Sequence, residues 1–308
     1  MPRFNSPVDG AHLFYRDYVP ASHPPPYHPD PAYGTKPQPA IVFIHPWPQS
    51  GLVYEPLMLQ LCETYRFRCI APDRRGFGKS DWNGCDNDQS KPIDYSVFAA
   101  DTIHLLEKIN VGPFVFVAAS MGPAETIQAY WQSEYVRENC KGFFWIGPAL
   151  PCPLASSAHP KAPSQEVWDG IMQGLRTSRA EFVKQALPAS LGPDGGHNLP
   201  QDTLQQYVQL ILSADSLAVE RCIQIITSTD FTEMLARIGK ETDVPVTAVN
   251  GDKDTGNPTE ATLDKIKDLI PRAITKEYQN GAHGLQITHR AELLEDLLEF
   301  IASLKFPA

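Results

Sequence analysis

Phe114-Val115-Phe116-Val117-Ala118-Ala119-Ser120-Met121-Gly122-Pro123-Ala124 decides how the rest of the chain is read. An apolar run rises into a serine with a small residue two places before it, Ala118, and another two places after it, Gly122. Pro123-Ala124-Glu125-Thr126-Ile127-Gln128-Ala129-Tyr130 then reads as a helix, so Ser120 stands at a strand-to-helix turn. This is the small-x-Ser-x-small pattern of a nucleophile elbow, with alanine where many elbows have the first glycine. Such a turn is strained, and its strand and helix backbones nearly touch, so only small residues fit beside the serine. The same stretch is compatible with an ordinary turn in which Ser120 caps the helix. The choice depends on what the flanking segments supply.

Before the elbow, Asp9-Gly10 is a hairpin signal ahead of a strand at His12–Tyr18. Residues 20–39 are rich in proline and read as an extended loop, in which His23, Tyr27 and His28 belong to a surface insertion. Ala40–Ile44 is a continuous apolar run, as in a strand covered on both faces. A helix at Pro56–Tyr65, a strand at Phe67–Asp73 and a helix at Ser96–Ile109 lead into the elbow strand. Strands alternating with helices predict a mostly parallel central sheet flanked by helices, an α/β fold.

After the elbow comes a strand at Gly142–Gly147, and then the rhythm changes. Residues 151–235 carry no strand run. They hold helices around Ser164–Leu175, Arg179–Leu187, Asp202–Leu212 and Leu217–Ile226, with turns such as Gly192-Pro193-Asp194-Gly195-Gly196 between them. The expected organisation is a core of residues 1–150 and 236–308 with an inserted helical cap at 151–235. Strand rhythm resumes at Val244–Gly251, followed by a helix at Thr259–Leu269, a strand at Ala273–Tyr278 and a helix at Ala291–Leu304.

The chain has 308 residues, 42% of them hydrophobic, and a formal net charge of −10, enough for one large α/β domain with an insertion. There is no basic run, which argues against a nucleic-acid partner. The six cysteines are scattered without a C-x-x-C pair and read as thiols, not a disulfide framework. No apolar segment is long enough to span a membrane and the N-terminus has no signal core, so a cytoplasmic, membrane-free location is expected.

A serine nucleophile needs a base, and the base needs an acid to orient it. In an elbow fold these follow in the order Ser, acid, His, on loops after later strands. His283, in Asn280-Gly281-Ala282-His283-Gly284, is the one histidine of nine that follows the last strand and precedes the final helix. The acid is Asp252 or Asp254, both in the loop after Val244–Gly251. The developing oxyanion needs two backbone N–H donors. Met121, after the nucleophile, supplies one. In His45-Pro46-Trp47-Pro48 the prolines have no N–H, which leaves Trp47 as the other. Trp47-Pro48 is also a candidate cis peptide. His45 reads as a structural hydrogen-bonding residue.

Taken together, His45-x-Trp47-Pro48, Asp73-Arg74-Arg75-Gly76-Phe77-Gly78-Lys79-Ser80, Ser120-Met121-Gly122, Thr229-Asp230-Phe231 and His283-Gly284-Leu285-x-x-Thr288-His289 resemble the α/β-hydrolase superfamily. Within it the chain is similar to the cofactor-free haloperoxidase and perhydrolase esterases. That resemblance implies the α/β-hydrolase fold, no cofactor or metal, and an acid in Gly-x-x-Asp-x-x-x-Pro, which fits Gly251, Asp254 and Pro258. Pro46, Ala118 and Pro123 depart from the family pattern, and the proline-rich 20–39 has no counterpart in it. The expected function is a serine hydrolase cleaving an ester, lactone or thioester of a hydrophobic small molecule. Alternatives on the same fold are a C–C bond hydrolase, a cyclase or lyase, a cofactor-free oxygenase, or a small-molecule receptor. The cap helices should line an apolar substrate pocket, with Trp168, Met172 and Leu210 as the expected contacts.

Overall fold

The computed structural model describes residues 2–21, 38–84, 92–192 and 199–305. Most of the proline-rich segment 20–39, the turn residues 193–196 and Cys85 lie outside the described residues. The chain opens with β1 (Arg3–Asn5) and β2 (His12–Tyr18), an antiparallel hairpin around Asp9-Gly10. The sheet continues with β3 (Ala40–Ile44), β4 (Cys69–Pro72), β5 (Phe114–Ala119), β6 (Cys140–Ile146), β7 (Val246–Gly251) and β8 (Ile274–Tyr278). Its order is β1-β2-β4-β3-β5-β6-β7-β8. β2 runs antiparallel to β4, and every pair from β4 to β8 is parallel.

The central strands are buried almost without a break because helices cover both faces. Alternation along each strand sorts the side chains into two apolar layers. Val42, Ile44, Phe116 and Trp145 join one layer, with Phe98 and Leu105 of α2 (Tyr95–Lys108) and Ile127 of α3 (Gly122–Gln132). Ile41, Phe43, Val117 and Phe144 join the other, with Leu57 and Leu61 of α1 (Glu55–Glu63). A short α4 (Glu134–Asn139), not anticipated from the sequence, leads from α3 into β6.

Between β6 and β7 the chain is helical. α5 (Gln165–Ser190) contains both expected helices, joined across a kink where Ser178 has φ −154° and ψ 73°. α6 (Gln201–Leu212) and α7 (Ser216–Ser228) follow close to their expected positions. α8 (Thr232–Glu241) is an addition to that reading. It buries Leu235 and Ile238 fully. The C-terminal part holds α9 (Leu263–Leu269), the four-residue α10 (Leu285–Thr288) and α11 (Arg290–Ser303). Among the described residues, no helix is long and apolar enough to cross a membrane.

Candidate active site

Ser120 closes β5 with φ 57°, a left-handed conformation that a residue with a side chain adopts at a cost. The turn is tied on both sides: the Ser120 N–H donates to the Ile146 carbonyl at 3.0 Å, and its own carbonyl accepts from the Ala149 N–H at 2.8 Å. A Cβ built on Gly122 would come within 2.6 Å of the Ile44 carbonyl oxygen. The small residue after the serine is therefore required by contact between α3 and β3, as the elbow pattern predicts.

Neighbouring parallel strands bring the other two groups to the same end of the sheet. A Cβ on Gly251, at the end of β7, would lie 2.2 Å from the backbone of Gly281. That close approach, with the Lys253 N–H donating to the Gly281 carbonyl at 2.8 Å, holds the loops after β7 and β8 side by side. His283 Nδ1 lies 2.8 Å from Asp254 Oδ2, and His283 Nε2 lies 2.9 Å from Ser120 Oγ. An ionised carboxylate only accepts, so Nδ1 carries the proton and Nε2 is left to accept from the serine hydroxyl. The remaining oxygen, Asp254 Oδ1, accepts from the N–H groups of Gly256 and Asn257 at 3.0 and 2.9 Å. Asp252 is instead paired with Lys253 at 2.8 Å. Burial works against a charged His283, but the charge and hydrogen bond of Asp254 outweigh it and hold its pKa above the ordinary histidine value.

The loop after β3 faces this line. Trp47-Pro48 is cis. Among the described residues, neither the Trp47 nor the Met121 backbone N–H donates to any partner. His45 is buried beneath the loop; its Nδ1–H donates to the Pro46 carbonyl at 2.9 Å and its Nε2 accepts from the Arg74 N–H at 2.9 Å. Burial first, and the Arg74 charge second, push its pKa well below the ordinary value, so it stays neutral. The Asp-Arg-Arg-Gly-Phe-Gly stretch is thus a scaffold: Arg74 bridges His45 and Glu125, and Asp73 accepts from the N–H groups of Gly51 and Lys79.

Ser120 and His283 open into a cavity of about 390 Å³, lined on its far side by α5 residues Val167, Trp168, Ile171, Leu175 and Phe182. Of the three expected pocket residues, Trp168 is in this lining, with its Nε1 held by the Pro153 carbonyl at 2.9 Å. Met172 and Leu210 are not in it. On α5 the lining residues recur at helical spacing, and Met172 falls one position off that stripe. On α6 it is Ile211 that reaches the cavity, while Leu210 packs on the apolar layer of α1. Sequence reasoning also missed Gln49 and Gln286, both buried in the lining. Only their positions, on the loops that carry Trp47 and His283, could have pointed to them.

Among the described residues, one grouping gathers potential metal-ligand atoms within 4.8 Å of one another: Cys152, His159 and Asp230. Its atoms already have structural work. His159 Nε2 is hydrogen-bonded to Asp230 Oδ2 at 2.9 Å, and Asp230 Oδ1 accepts from the Thr232 N–H at the start of α8. Burial raises the Cys152 pKa, which favours the neutral thiol.

A family model described as alpha/beta hydrolase fold matches residues 39–290. A non-heme chloroperoxidase of Streptomyces lividans is 30% identical over 301 residues, covering 96% of this chain and 98% of that protein. An esterase from Exiguobacterium antarcticum superposes with a TM-score of 0.82 at 19% identity, over 98% of this chain and 100% of that one. A bromoperoxidase from Bacillus anthracis superposes with a TM-score of 0.81 at 22% identity, over the same shares. At those identities the two structures speak to the fold alone.

Proposed function

The chain belongs to the α/β-hydrolase fold family, and from that premise we propose that it is a serine hydrolase acting on an ester, lactone or thioester of a hydrophobic small molecule. The observation that carries the reading is the unbroken hydrogen-bonded line Ser120–His283–Asp254, at 2.9 and 2.8 Å, opening into a half-open and mainly apolar cavity. In this reading Ser120 Oγ attacks the substrate carbonyl while His283 Nε2 takes its proton. The carbonyl oxygen becomes an oxyanion held by the Trp47 and Met121 N–H groups. Collapse of the tetrahedral intermediate breaks the C–O or C–S bond, and His283 returns the proton to the leaving group. Water then attacks the acyl-serine, again losing its proton to His283, and releases the acid and free Ser120. Asp254 keeps His283 in the productive tautomer and stabilises its protonated form.

Residues 151–235 serve in this reading as a cap over the serine that selects substrates through α5. Hydrogen peroxide attacking the same acyl-serine would give a peracid in place of the acid. That is where a hydrolase reading and the chloroperoxidase name of the Streptomyces lividans relative meet on one set of residues. The test is a screen of aryl and alkyl esters of graded acyl length, lactones and thioesters against the wild type and Ser120→Ala. Turnover of at least one class by the wild type, lost in the variant, is expected. Wild-type rates matched by the variant would refute the proposal.

A further inference from the structure

Gln49 and Gln286 are 8% and 5% exposed, line the cavity beside Ser120, and each holds a buried carboxamide oxygen without a hydrogen-bond partner. Buried polar atoms are nearly always paired, and an orphaned one costs stability, so two of them in one cavity call for an explanation. Other polar side chains in the lining are accounted for. Asn257 donates to the Gly147 carbonyl, Ser190 donates to the Leu187 carbonyl, and Lys253 and Thr255 are exposed to water. Gln49 lies two residues beyond Trp47, and Gln286 three beyond His283, so the two amides border the reacting centre on the loops that carry it. Leucine would fill either position with nearly the same volume and no orphaned atom.

We propose that Gln49 and Gln286 form a polar subsite for a hydrogen-bond donor, a hydroxyl or amide N–H, carried by an otherwise hydrophobic ester or lactone. The inference rests on the hydrolase reading of the same cavity and narrows its substrate class. The last torsion of a glutamine is soft, so each carboxamide can turn its oxygen toward a bound donor. A purely hydrocarbon acyl chain leaves both oxygens unpaired, and that difference is what discriminates the two substrates.

The experiment compares matched 4-nitrophenyl esters, octanoate against 2-hydroxy- and 3-hydroxyoctanoate, with hexanoate carrying a terminal acetamide as the amide arm. Wild-type kcat/KM should favour at least one donor-bearing ester by about tenfold or more, the worth of one good hydrogen bond in a buried site. Gln49→Leu and Gln286→Leu should each pull that ratio toward one while raising the thermal midpoint, since each removes an orphaned amide. The proposal is overturned if the wild type shows no preference, if neither variant moves the ratio, or if both variants melt lower, which would make the amides structural. If none of these four esters is turned over, the hydrolase reading is still judged separately, on the wider screen of esters, lactones and thioesters. Calorimetric binding of the free acids of the same pairs to the wild type then decides the donor preference by itself, and equal affinities overturn it.

Discussion

Asp252 and Asp254 stand two residues apart in one loop, yet only Asp254 reaches His283. Sequence spacing left both open, because a loop after a strand can present either carboxylate; the family resemblance pointed to Asp254. The distinction lies in backbone geometry: the Asp254 carboxylate is turned inward by the N–H groups of Gly256 and Asn257. Asp254→Asn should therefore lower kcat by about 10⁴, as loss of the orienting acid does in comparable triads. Asp252→Asn should leave kcat within a few-fold; the reverse ranking, measured by steady-state kinetics, would reassign the acid. His283 acts as a base only when neutral, and Asp254 raises its pKa, so the acid limb of kcat/KM should lie above 6.5, the ordinary histidine value. In Asp254→Asn the raising influence disappears while burial still favours the neutral ring. The limb should then move to lower pH, as a pH–rate profile of the residual activity would record.

At the scale of elements, α5 illustrates what periodicity reveals and what it hides. An apolar stripe marked it as an amphipathic helix, and of the three residues expected on the pocket Trp168 lies in the cavity lining. The phase of that stripe against the core is set by packing with α6 and α7, which the pattern does not encode. One residue of misphasing puts Met172 outside the cavity, and the same error on α6 exchanged Leu210 for Ile211. The prediction is that Trp168→Ala changes the order of kcat/KM values across an acyl-length series, whereas Met172→Ala and Leu210→Ala preserve it. Equal effects from all three would place the substrate elsewhere. The elbow itself was legible because close contact restricts its composition, and Gly122→Val should cost folding outright by forcing β3 from α3.

Across the whole molecule, the strands of the parallel sheet and most of the helices, α4 and α8 excepted, were legible from alternation, because a doubly covered parallel sheet needs uninterrupted apolar runs. Long-range polar ties were not. Arg75 looked like part of a motif, but its role is to join distant segments: its buried guanidinium meets Asp9 in the hairpin turn, Asp101 on α2, and Ser6. These partners are far apart in sequence, and nothing in local pattern pairs them. Arg75→Ala would strand Asp101 as an unpaired buried carboxylate, a loss of about 3–5 kcal/mol. Urea unfolding should show a lower midpoint with detachment of β1 and β2; an unchanged midpoint would mean the pair contributes nothing net.

The central claim is that Ser120 is a nucleophile activated by His283. Reaction with a fluorophosphonate, followed by intact-mass and peptide mass spectrometry, tests it without knowledge of the substrate. One adduct per chain, on the peptide containing Ser120 and absent from Ser120→Ala and His283→Ala, is the predicted result. A wild-type protein that stays unlabelled, or carries its adduct on another residue, would contradict it.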